Sequence, residues 1–103
     1  MATTIEYVVN DSTAKMSIKG RFDFTCHRDF RSACDEVLAQ PAVKQIDLNF
    51  QDVDYLDSSA LGMLLVLRER TSEANVNVNL VNCHGTVKQV LEIANFSKLF
   101  NLV

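Results

Sequence analysis

Apolar and polar positions change period several times along this chain, and each change marks a new element. Residues 5–9 are β-branched and aromatic, the composition of a strand. Asn10, Asp11, Ser12 and Thr13 supply turn chemistry. Met16 and Ile18 then alternate with Lys15, Ser17 and Lys19, as in a strand with one buried face. The two strands predict a hairpin. Gly20 bends the chain away, and Phe22 and Phe24 briefly continue the period of two. Over residues 26–39 the period lengthens: Phe30, Ala33, Cys34, Val37 and Leu38 recur at helical steps. Thr25 is the expected N-cap. Gln40-Pro41 ends the helix, because a residue before proline avoids helical geometry.

Residues 43–50 alternate again through Ile46, Leu48 and Phe50, which predicts the next strand. Gln51 and Asp52 read as a turn. Val53, Asp54, Tyr55 and Leu56 lead into a helix expected to run from Ser58 to Ala74. Residues 60–67 are apolar on every side, so that helix is either fully buried or covers its second side with a partner. Arg68, Glu69, Arg70 and Glu73 belong in solvent. Val76, Val78, Leu80 and Val81 form another strand. His84-Gly85-Thr86 starts a third helix, with Val87, Val90, Leu91 and Ala94 on one face. Asn95 closes it, because asparagine tolerates the left-handed conformation of a helix end. Phe96, Leu99, Phe100 and Leu102 pack a short tail on the core. Strands alternating with helices imply parallel pairing through right-handed crossovers, while the hairpin adds an antiparallel pair. The expected fold is a single α/β domain: a mixed four- to five-stranded sheet with helices mainly on one face.

Composition narrows the function. The 103 residues are 48% hydrophobic and carry a formal net charge of −3, ordinary values for one globular domain. No basic stripe is present to neutralise a phosphate backbone, so direct nucleic-acid binding is not expected. The longest apolar run is far too short for a bilayer, and residues 1–10 do not read as a secretory signal. The expectation is a cytoplasmic protein without membrane insertion. Cys26, Cys34 and Cys83 lack CxxC spacing and read as reduced, mostly buried residues rather than a metal or redox centre. Cys83 and His84 are adjacent, and neighbouring side chains point apart. No cofactor is expected.

Residues 53–67 concentrate the chemistry. A strand-like approach passes through Asp57, Ser58 and Ser59 into an apolar helix. The first turn of a helix has free N–H groups and the positive end of the dipole, both favourable to a phosphate. Asp57 and Ser58 compete for the capping position. Ser58 reads as a phosphorylatable serine at the centre of a docking surface, with Ser59 as a structural neighbour. Asp57 serves as cap and interface residue, Asp23 is a loop residue on the same face, and Tyr55 fits core or rim. Leu61 completes the surface. Convergent acids, a glycine-rich phosphate loop and a base for the serines are all missing, so no enzyme activity is expected.

Four segments together resemble a known family: Gly20-Arg21-Phe22-Asp23, Asp47-Leu48-Asn49-Phe50, Tyr55-Leu56-Asp57-Ser58-Ser59-Ala60-Leu61-Gly62, and Phe96-Ser97-Lys98-Leu99-Phe100. Over nearly its full length the chain resembles the STAS domain, and within it the free-standing bacterial anti-sigma-factor antagonists. The resemblance implies that Ser58 is phosphorylated by a serine kinase that is also the anti-sigma factor. It implies that a metal-dependent Ser/Thr phosphatase reverses the modification, and that the unphosphorylated form binds the kinase and frees its target. The alternative is a STAS scaffold or accessory subunit, in a stress complex or beside a transporter, without a sigma-factor target. Ala60 stands where the family usually has glycine, and its methyl is expected to alter how closely a partner approaches. Asn95 likewise stands where glycine is common.

Overall fold

The computed structural model describes residues 3–103. Its N-terminal hairpin joins β1 (Thr4–Asn10) to β2 (Thr13–Phe22), paired from Thr4 opposite Lys19 to Asn10 opposite Thr13. Asp11 adopts φ 55 at the turn between them, the left-handed conformation that aspartate and asparagine tolerate. Three strands then add in parallel: β3 (Gln45–Leu56), β4 (Asn77–Val81) and β5 (Asn101–Leu102). The sheet is mixed, in the order β1-β2-β3-β4-β5. Helices α1 (His27–Leu38), α2 (Ser58–Glu73) and α3 (Gly85–Ile93) connect the parallel strands.

Strand register sorts the side chains into two faces. Ala14, Ile46 and Val78 lie abreast, as do Met16, Leu48 and Leu80. This apolar face takes the helices, which bury Phe30, Ala33, Cys34 and Val37 from α1, Ala60, Met63, Leu64 and Leu67 from α2, and Val87 and Leu91 from α3. The Phe22 ring anchors the centre, 5.1 Å from Phe30 and 6.0 Å from Phe50 between centroids. On the other face Lys15, Asp47, Asn79 and Asn101 lie abreast. There Asp47 Oδ1 accepts from Gln45 and Asn79, each at 2.9 Å, and Asn79 Oδ1 accepts from Asn101 at 3.1 Å. A polar ladder of this kind needs no apolar cover, which is why the helices occupy one side.

Three local expectations are corrected. Gln51 and Asp52 do not turn; β3 runs straight through them. The register against β2 slips twice there, between Ser17 and Lys19 and between Gly20 and Arg21, with Gly20 at φ 106. Each slip places an extra β3 residue, so Phe50, Val53 and Leu56 reach the core at steps of three and period two is lost. Thr25 is not an N-cap: Asp23 caps a 3₁₀ turn over Phe24–Cys26 that precedes α1. The C-terminal tail does more than pack, because Asn101 and Leu102 pair with Asn79 and Leu80 as a fifth strand. Asn95 does take the left-handed conformation, at φ 62.

All three cysteines are free; Cys26 and Cys34 are buried and Cys83 is half-buried. Burial pushes the Cys34 thiol up to about 12 and Cys83 up to about 11, far from a reactive thiolate. Among the described residues no three His, Cys, Asp or Glu side chains converge as metal ligands, and no helix is long and apolar enough to cross a membrane.

Candidate functional site

β2 and β3 end side by side, with Phe22 opposite Leu56. Each is followed by an aspartate with extended backbone, Asp23 at φ −137 and Asp57 at φ −113. The Asp57 N–H donates to the Phe22 carbonyl at 3.4 Å, tying the two strand ends together. The register therefore brings Asp23, Tyr55, Asp57, Ser58 and Ser59 to one end of the molecule, the carboxyl ends of two parallel strands. Ligand sites of open α/β sheets gather at such ends.

The capping competition is settled by geometry. Asp57 Oδ1 accepts from the Ala60 N–H at 2.9 Å, so Asp57 is the N-cap of α2. Ser58 and Ser59 follow as the first two helical residues, both exposed. Among the described residues no protein group bonds the Ser58 hydroxyl. That hydroxyl stands in solvent over the positive end of a sixteen-residue helix, with the Asp57 carboxylate as the opposing charge nearby.

The neighbouring strand end is closed by its own contacts. Asp23 Oδ1 accepts from the Thr25 N–H at 3.0 Å and from the Thr25 hydroxyl. The Thr25 hydroxyl first, then the Thr25 N–H and the Arg21 guanidinium at 3.5 Å, hold the Asp23 carboxyl below the usual carboxylate range. Arg21 also stacks 3.9 Å over the Tyr55 ring. Tyr55 is 41% exposed, which places it at the rim and not in the core.

The helix apolar on all sides resolves into two parts. Ala60, Met63, Leu64 and Leu67 face the sheet, whereas Leu65 and Val66 stay exposed, Val66 at 58%. Leu61 is half-buried between them. A groove of about 670 Å³ runs between α1 and α2, lined by Phe30, Cys34, Ser59, Gly62, Met63 and Val66 among others. The site thus offers hydroxyls, an apolar shoulder and a groove in one neighbourhood. The Ala60 expectation is corrected: its methyl is fully buried, at 0% exposure, and meets the core rather than a partner.

Sequence reasoning missed Arg21 and Phe24. Phe24 read as the end of a strand, yet it is exposed in the 3₁₀ turn beside Asp23. The Arg21–Tyr55 contact joins two strands through a register that slips twice, and no local signal announces it.

Comparison with known proteins agrees with this architecture. A family model described as the STAS domain matches residues 4–103. The STAS-domain containing protein PA14_20770 of Pseudomonas aeruginosa is 41% identical over 102 residues, covering 99% of both chains. The anti-sigma factor antagonist SpoIIAA, the Bacillus cell fate determinant, has been solved unphosphorylated and phosphorylated. Both forms match at TM-score 0.74 and 22% identity, covering 99% of this chain and 87% or 91% of theirs. A sulfate transporter family protein from Wolinella succinogenes matches at TM-score 0.76 and 18% identity, over 88% of this chain and 73% of that one. At these identities the solved structures share the fold.

Proposed function

The chain belongs to the STAS domain family, and we propose that within it the chain is an anti-sigma-factor antagonist, a protein-interaction module gated by phosphorylation of Ser58. The observation that carries the reading is the exposed Ser58 hydroxyl, which the Asp57 cap leaves without a structural task. The unphosphorylated domain docks on a serine kinase that is also an anti-sigma factor, and docking releases the kinase's target. Asp23, Tyr55, Asp57, Ser58, Ser59 and Leu61 form the contact, with Val66 extending it along α2. Phosphorylation adds about −1.5 to −2 charge at neutral pH. In the free domain the phosphate sits in solvent at the helix N-terminus, a favourable position by about 0.3–1 kcal/mol. In a docked complex it is pressed into a partly apolar contact, and burying an unpaired charge costs more than the dipole returns. A metal-dependent Ser/Thr phosphatase restores the competent form. The chain acts in the cytoplasm and by binding, without turnover of its own.

The test is affinity capture from native extract with wild type, Ser58→Ala and Ser58→Asp. A kinase that binds the first two, is lost with the third and phosphorylates Ser58 in the presence of ATP supports the reading. Equal capture by all three forms removes it. A second reading, an accessory subunit without a sigma-factor target, is favoured by the likeness to the sulfate transporter family protein. It predicts co-purification of a membrane subunit, indifferent to the state of Ser58.

A further inference from the structure

The two edges of the sheet are built differently. Sheet edges carry unpaired backbone groups, and proteins blunt them with very short strands, lysine, proline, bulges or a covering segment. The β5 edge is blunted by its length of two residues. The β1 edge runs for seven residues, TIEYVVN, with neither lysine nor proline. Its pairing with β2 proceeds without a single register shift, so no bulge twists it away. Among the described residues, no other segment hydrogen-bonds its outer backbone edge. Its one charge, Glu6, is paired with Lys19 Nζ of β2 at 3.2 Å, both side chains remaining exposed. Val8 is 58% exposed beside it.

The pattern of β1 indicates what covers this edge. Exposed and half-buried positions alternate symmetrically about Tyr7, from Thr4 to Asn10. An antiparallel copy related by a two-fold axis at Tyr7 sets Ile5 opposite Val9 of the second copy, Tyr7 opposite Tyr7, and Glu6 opposite Val8. Apolar residues then meet apolar residues on the helix-covered face, and the polar ends Thr4 and Asn10 meet each other. An axis at Glu6 would instead oppose two carboxylates, which is destabilising. We propose that the chain forms a symmetric dimer by antiparallel pairing of β1 with β1 of a second copy, giving one continuous sheet. Such a contact is isologous and closes on itself. It sits at the low end of interface size, so association is weak and concentration-dependent. β3, whose end carries Ser58, lies beyond β2 from this edge, so a dimer presents two open docking sites. The proposal does not rest on the Ser58 reading.

The test is sedimentation velocity of the full chain from about 10 μM to about 1 mM, the range in which a contact this small dissociates. A species of twice the monomer mass should grow with concentration. Val8→Glu faces Lys15 within its own chain but opposes Glu6 of the second copy at both symmetric positions, and should weaken association at least about tenfold, whereas Ile93→Lys, an exposed apolar position on α3, should leave it unchanged. Isotope-filtered NMR on a mixed labelled and unlabelled wild-type sample should show contacts between the two Tyr7 rings, a readout independent of whether Val8→Glu folds. A monomer throughout the range, association by Val8→Glu equal to wild type, or a dimer without contacts across β1 would each overturn the proposal.

Discussion

β2 and β3 finish beside each other, and each passes to an aspartate that caps the next helical turn, yet the two ends differ in what they leave undone. At the β2 end, Thr25 donates twice to one carboxylate oxygen of Asp23 and Arg21 pairs with the other, before a 3₁₀ turn of three residues. At the β3 end, Asp57 makes one capping bond and a sixteen-residue helix begins with two exposed hydroxyls. The first end is satisfied internally. The second has handed its structural duty to the residue before the serine. A serine relieved of capping can be modified without cost to the fold, which is what a switch requires.

The largest effect should come from charging the open end. Phosphorylation of Ser58, or Ser58→Asp to a lesser degree, should weaken binding to the captured kinase by at least about a hundredfold, about 2.8 kcal/mol. Calorimetric titration measures this, and the melting temperature of the free domain should barely move. A large loss of folded structure on phosphorylation would break the contrast at its root.

Next in size is the cap. Asp57→Ala removes the acceptor for the Ala60 N–H and should lower stability by about 1 kcal/mol in urea unfolding. Ser58→Ala should cost less than about 0.5 kcal/mol, as for other exposed positions without a partner. If the two losses came out equal, Ser58 would share the capping and the division of labour would dissolve.

The smallest effect is acid sensitivity at the closed end. Asp23 has its folded-state carboxyl held low by Thr25 and then by Arg21. Its stabilisation is therefore present above the ordinary aspartate value near 3.9 and is lost as pH falls through the lower folded value. Asp23→Asn should flatten that part of the acid unfolding curve, followed by circular dichroism. An unchanged curve would mean the network at the β2 end is not needed.

Much of this was legible in the chain. Regular periodicity located the hairpin, the three helices and the strand at residues 77–81, because burial on one face imposes that period directly. The reading failed where period was interrupted without a break in structure. Gln51–Asp52 and Asp54–Tyr55 each present two consecutive exposed positions between buried ones, and a bulged strand then looks like a turn. β5 was too short to alternate. The serine motif was evident, and the capping choice between Asp57 and Ser58 was not, since both residues have the chemistry for it. Which apolar residues of α2 remain exposed depends on where the sheet ends beneath it, a property of the assembled fold. The inward aim of Ala60 has the same origin.

The strands lie across the sheet in the order in which the chain is made. No strand has to insert between two that are already paired, so every new strand finds its edge waiting. Synthesis and folding can therefore advance together, the hairpin first and each crossover added to its flank. The long-range closure that slows parallel sheets is met one step at a time. The Asp57 N–H reaches across to the Phe22 carbonyl, so the residue that caps α2 is also held to the end of β2. The open end of α2 is thus anchored to the assembled pair of parallel strands as well as to its own helix.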